Sequence, residues 1–137
     1  MPLVIANVGE LELLDKMLKD ALTVDEDYTL KLFNNNVAPT QASIASTFTE
    51  TAFTGYAAKT LTRTGWSAAT TVSNKAQSSY SQQSWTCGAT GDTIYGYYVI
   101  GATSSTLFWA ELFASPRIVA NIDVLNVTPV FTLNSEN

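Results

Sequence analysis

The sequence predicts an all-β fold, a jelly-roll-like β-sandwich preceded by a short N-terminal α-helix. Three observations predict it. Beyond residue 27 the chain is a series of short β-prone runs, broken about every 8–12 residues by Gly, Asn or Ser, the grain of sandwiches and jelly rolls. Only one stretch, near the start, carries helical spacing. Hydrophobic residues make up 46% of the 137 positions and charged ones 14%, so the chain is core-forming rather than disordered. A single domain over 1–137 is expected, with a helical segment at 1–23 and the sandwich at 28–134. No fixed-period repeat suggests a solenoid or propeller.

The helix is predicted in "NVGELELLDKMLKDAL". Asn7 stands as N-cap with Glu10 three residues on, the capping-box spacing. Leu11, Leu14, Leu18 and Leu22 follow at 3-4-4 spacing, and Leu13 and Met17 widen the stripe. Acids lie early and Lys16 and Lys19 late, in keeping with the helix dipole. So wide a stripe must be covered, either by the chain's own sheet or by another subunit or partner. The second reading makes Leu11, Leu14, Met17 and Leu18 an attachment face. After it, "VDED" reads as a solvated turn without the ligand pattern of a calcium loop. "YTLKLF" alternates as a strand, and "NNNVAP" ends it. Further strands are predicted near 43–48, 57–62, 70–73, 79–86, 93–101, 106–113, 117–120 and 127–133.

The segment "TIYGYYVIGATSSTLFWAELF" is a hairpin that is apolar on both faces. Strict alternation puts Tyr95, Tyr97 and Val99 opposite Ile94, Tyr98 and Ile100, and Leu107, Trp109 and Phe113 opposite Phe108, Ala110 and Leu112. One face is expected to meet the core and the other a neighbouring copy. Tyr95, Tyr97, Tyr98, Trp109 and Phe113 are the candidate interface residues.

Chemistry is sparse. With no histidine, the commonest general base and every His-containing metal site are absent. Cys87 is the single cysteine, so an intrachain disulfide and a thiolate zinc cage are excluded, in keeping with assembly inside a cell. It has no partner to activate it. No phosphate-binding glycine loop is present. Asp92, Glu111 and Asp123 are the only acids between Thr51 and Ser135. Asp92 and Asp123 read as turn residues, and Glu111 reads as a solvent-facing strand residue or the partner of Arg63 or Arg117; an Asp92–Glu111 hydrolytic pair is the weaker alternative. No catalytic residue, cofactor or metal is therefore expected. Trp66, Tyr80 and Trp85 are candidates for stacking on glycan, set against core packing as the plainer role.

Residues 1–50 carry eight acids and three lysines, while residues 51–137 carry four acids and four bases. No basic stripe suits nucleic acid, and no apolar run approaches the roughly 18–20 residues of a membrane span. The opening "MPLVIANVGE" lacks the basic start of a signal peptide.

Four segments, "VIANVGELELLDKMLKDAL", "GYAAKTLTRTGWSAA", "GYYVIGATSSTLFWAELF" and "DVLNVTPVFTLNSEN", resemble small virion proteins of tailed bacteriophages. The resemblance implies a β-sandwich displayed on the virion, assembled in the host cytoplasm. It would be a homotrimeric capsid decoration (cement) protein binding the major capsid protein or other virion proteins. The alternative it implies is a carbohydrate-binding fibre or adhesion module.

Overall fold

The computed structural model describes residues 3–18 and 26–133. It is a β-sandwich of antiparallel strands with one short N-terminal helix. In chain order the elements are β1 (Val4–Ile5), α1 (Asn7–Leu18), β2 (Tyr28–Phe33), β3 (Lys59–Leu61), β4 (Thr70–Val72), β5 (Lys75–Ser79), β6 (Gln83–Thr86), β7 (Asp92–Gly101), β8 (Leu107–Val119), β9 (Val124–Val127) and β10 (Val130–Leu133). The largest sheet has the order β1-β8-β7-β2-β3; β10-β5-β4 and β6-β9 form two smaller ones.

The five-stranded sheet is covered on both faces by its own chain, which explains the two-sided hairpin. One face, with Leu30, Leu32, Ile94, Tyr97, Val99 and Trp109, packs against Trp85, Leu125 and Val127 of β6 and β9 and against Phe131 of β10. The other, with Phe33, Tyr98, Ile100 and Ala110, packs against Ala6, Val37, Ala45 and Phe48. Phe48 stacks on Tyr98 with ring centroids 5.2 Å apart. The 34–50 connection therefore serves as the second wall.

Two irregularities in the β7–β8 pairing decide which side chain goes where. Val99 pairs with Trp109 but Ile100 with Leu107, so Phe108 is an extra residue and turns to the same core as Trp109. Between Ile94, paired with Arg117, and Gly96, paired with Leu112, four β8 residues stand against one β7 residue. Ile94 thereby joins the face of Tyr97, and Tyr95 that of Tyr98, contrary to strict alternation. Gly96 is needed here, because a Cβ would run into the Glu111 carbonyl and the Phe33 ring.

Several expected elements change. Residues 43–48 hold no strand but a 3-10 turn, Ala45–Thr47. Thr47 Oγ1 accepts the Ile44 N–H and Ser43 Oγ accepts the Thr40 N–H, so hydroxyls satisfy the backbone locally and displace sheet pairing. The run 79–86 breaks after Ser79, where the Tyr80 N–H turns to the Pro129 carbonyl. The runs 106–113 and 117–120 fuse into β8, because the bulge accommodates Pro116. The run 127–133 is divided at the buried Pro129.

Helix α1 begins one residue earlier than its capping signal: Glu10 N–H donates to the Ala6 carbonyl, while Asn7 N–H is taken by Gln41. Gly9 lets the helix touch β8, since a Cβ there would lie 2.7 Å from both the Leu107 oxygen and the Phe108 Cα. Leu13 packs towards the core and Leu11 is 64% exposed. The side chains of Leu14, Met17 and Leu18, and all of Leu22, lie outside the described residues. Among the described residues no helix is long and apolar enough to cross a membrane.

Candidate functional site

The acids come first, because they would carry any hydrolytic chemistry. Asp92 is no turn residue: it opens β7 and accepts hydrogen bonds from Thr51 Oγ1, Asn34 Nδ2 and the Thr93 N–H. Burial pushes its pKa up, but those three donors together outweigh burial and hold the carboxyl below its ordinary 3.8. Glu111 Oε2 accepts the Tyr97 hydroxyl at 2.8 Å. The Tyr97 phenol is pushed well above its ordinary range by burial, then by the charge of Glu111 and the hydrogen bond to it. Glu111 pairs with Tyr97, five residues along β7 from Asp92, which separates the two positions by about 16 Å. Glycosidase carboxylates stand roughly 5–9.5 Å apart, so the fold does not bring this pair together. Asp123 is a turn residue as expected, its Oδ2 accepting the Ala120 N–H.

The "VDED" segment proves to be structural where it is described. Glu26 is 5% exposed, and its carboxylate accepts Thr103 N–H, Ser104 N–H and Ser104 Oγ–H at 2.6–2.8 Å. It clamps the β7–β8 turn, and Asp27 accepts the Arg63 N–H. The expected solvated turn is corrected for these two residues. Val24 and Asp25 lie outside the described residues. No single-sequence signal distinguishes a buried clamp from an acidic turn. Among the described residues no cluster of three potential metal ligands occurs.

Of the candidate interface aromatics, Tyr97, Tyr98 and Trp109 are at most 4% exposed within the chain itself. Their assignment to a contact with a neighbouring copy is corrected. Tyr95 and Phe113 are half-buried against the two cores. Burial pushes the Tyr98 phenol up to about 12.

Of the glycan candidates, Trp85 is buried, while Trp66 and Tyr80 are half-buried against the same core. Trp85 is 2% exposed, stacks on Tyr56, and donates its indole N–H to the Ala57 carbonyl at 2.7 Å. Trp66 meets Tyr80 and Trp109 edge-on, at 5.4 and 5.8 Å between centroids. Beside them lies a cavity of about 180 Å³ lined by Leu13, Tyr28, Trp66, Ser78, Phe108, Trp109 and Phe131. Ligand pockets begin near roughly 300 Å³, and a sugar needs more polar partners than this wall offers. The Trp66 indole N–H is buried without a partner, and that of Trp109 faces the Tyr97 hydroxyl without closing a hydrogen bond.

The surface feature that stands out is the corner where β8 leaves the large sheet and β9 enters the small one. The turn is fixed by Asp123 N–H to the Ala120 carbonyl, Ile122 N–H to the Cys87 carbonyl, and Cys87 N–H to the Asp123 carbonyl, all 2.8–2.9 Å. At its tip Ile122 has φ +71° and is 79% exposed. A β-branched residue in the left-handed region costs about 1–2 kcal/mol. This one gains no burial in return. Ile118 is 77% and Val124 56% exposed, and both line a cleft of about 400 Å³ between the two strands. Arg117 and Asp123 are exposed on the same rim. The sequence signal for this corner lies in "RIVANIDV", where apolar residues bracket charges at a turn. No family model matches the chain, and no curated protein matches it.

Proposed function

We propose that the chain is a non-enzymatic structural protein of a tailed-phage particle, a homo-oligomeric capsid decoration protein. The resemblance of four segments to small virion proteins motivates the particle and the three-copy order. The observation that carries self-association is Ile122: a strained, exposed isoleucine at the tip of a well-fixed turn, flanked by exposed Ile118 and Val124. A strained, exposed isoleucine in that position favours a contact with another molecule. The acids fit the same reading, because Glu26, Asp92 and Glu111 accept hydrogen bonds that hold the fold. Val8 and Leu11, three apart on α1 and both exposed, are the apolar pair the helix offers to a shell. Gold-labelled antibody against the chain, imaged on purified virions, tests the location. Regular label over the head is expected. Virions without label, from cells whose lysate contains the protein, would overturn the reading.

A further inference from the structure

Independently of how copies of the chain meet, we infer that the aromatic cavity between α1, the large sheet and the β5–β10 pair binds a small quaternary ammonium compound, a free cation of the trimethylammonium class.

Five rings, Tyr28, Trp66, Phe108, Trp109 and Phe131, make most of the wall of this cavity of about 180 Å³. Phe108 and Trp109 are at most 3% exposed and form its floor, while the half-buried Tyr28, Trp66 and Phe131 stand at its mouth. The ring planes do not run parallel. Tyr28 meets Phe108 at 87° and Trp66 at 90°, and Trp66 meets Trp109 at 69°. Rings set near right angles cannot close into one stack, so they enclose space. An aromatic face is negative, and a cation within about 6 Å of a ring centroid is attracted to it. Neighbouring centroids lie 4.6–6.5 Å apart, so one cation in the cavity is within reach of more than one ring.

The polar groups select the ligand's sign and its lack of N–H groups. Ser78 Oγ donates its proton to the Ser67 carbonyl at 2.8 Å, so it keeps only lone pairs for a ligand. The indole N–H groups of Trp66 and Trp109 are shut away from solvent, so those rings offer carbon and no donor. An ammonium bearing hydrogens would give up water here without replacement, whereas a fully methylated one has no N–H to satisfy. No basic side chain lines the cavity among the described residues. The chain's net charge is −5, and Leu13 and Tyr28 of the wall belong to the first 50 residues, with eight acids against three lysines. That field draws cations and repels anions. It also disfavours a headgroup that brings its own phosphate, so the occupant is a free compound and not a membrane lipid.

Size agrees. An apolar cavity of about 150 Å³ admits a benzene ring. A trimethylammonium group has similar bulk and fits, with a tail of a few atoms left in the mouth.

Calorimetric titration of the full chain with choline chloride, against sodium chloride at equal ionic strength, tests the inference. Saturable binding of choline is expected. The neutral isostere 3,3-dimethylbutan-1-ol, with carbon in place of the charged nitrogen, should bind at least tenfold more weakly. Trp66→Leu and Phe131→Leu, made separately, keep an apolar wall but remove a ring. Each that retains the strand circular-dichroism signal should bind choline at least fivefold more weakly. Equal binding of choline and its isostere would make the cavity a plain apolar pocket and overturn the inference. So would the absence of saturable choline binding, an unchanged choline affinity in a folded variant, or binding to phosphatidylcholine vesicles without binding to choline.

Discussion

At the scale of single residues, the polar groups of this chain act as fasteners. Glu26 gathers three donors from the β7–β8 turn in a buried site, and Gly101 leaves it room, since a Cβ there would overlap the carboxylate. Glu26→Gln keeps the shape but sets an amide against two backbone N–H groups. The loss should be about 1.5–3 kcal/mol in urea unfolding, the range for hydrogen bonds to a charged group. Asp92 sets part of the acid limit. Its folded pKa is depressed, so its contribution is present above the unfolded value near 3.8 and is lost as pH falls through the folded value. Wild type should therefore lose more stability than Asp92→Asn on going below about pH 4. The alkaline side is read by absorbance. Tyr56 and Tyr97 are pushed beyond the normal phenol range, mainly by burial, and Tyr98 to about 12. Native protein at about pH 11 should thus show tyrosinate absorbance from no more than three of its six tyrosines. Cys87 is buried, with Sγ–H directed at the Gly88 and Thr90 carbonyls. Cys87→Ser should lower stability by at most about 1–3 kcal/mol and leave assembly intact.

At the scale of elements, two glycines fix how β8 is covered. Gly9 brings α1 against backbone atoms of Leu107 and Phe108, which have no freedom to retreat. Gly9→Ala improves helix propensity by about 1 kcal/mol yet blocks the approach. The expected result is faster hydrogen exchange in α1 with strands β2, β7 and β8 still protected; equal protection throughout would show that the helix docks by other contacts. The class of the longer elements was legible in the sequence, because "YTLKLF" and the hairpin runs carry strand residues in unbroken stretches, whereas the short β1, β5 and β9 fall almost wholly outside the predicted runs. The faces were not. A bulge at Phe108 and the four-against-one irregularity opposite Tyr95 reverse the alternation on which a face assignment depends; Gly96 and Pro116 mark the second, while nothing local marks the first. The 3-10 turn at Ala45–Thr47 was missed for a related reason: Ser43 and Thr47 suit a strand by propensity but here bond their own backbone.

At the scale of the whole molecule, the sandwich covers its aromatic hairpin by itself, so apolarity on both faces does not require a neighbour. The proposed self-association rests instead on a smaller feature, the exposed Ile118, Ile122 and Val124 at the β8–β9 corner. Composition could not reveal that site, since exposure depends on where the chain changes sheets. Light scattering of the purified full chain over a wide dilution series tests self-association most directly. A mass of two or three times 14.8 kDa, falling towards 14.8 kDa only on dilution, is the predicted result. A mass of 14.8 kDa at every concentration would contradict it.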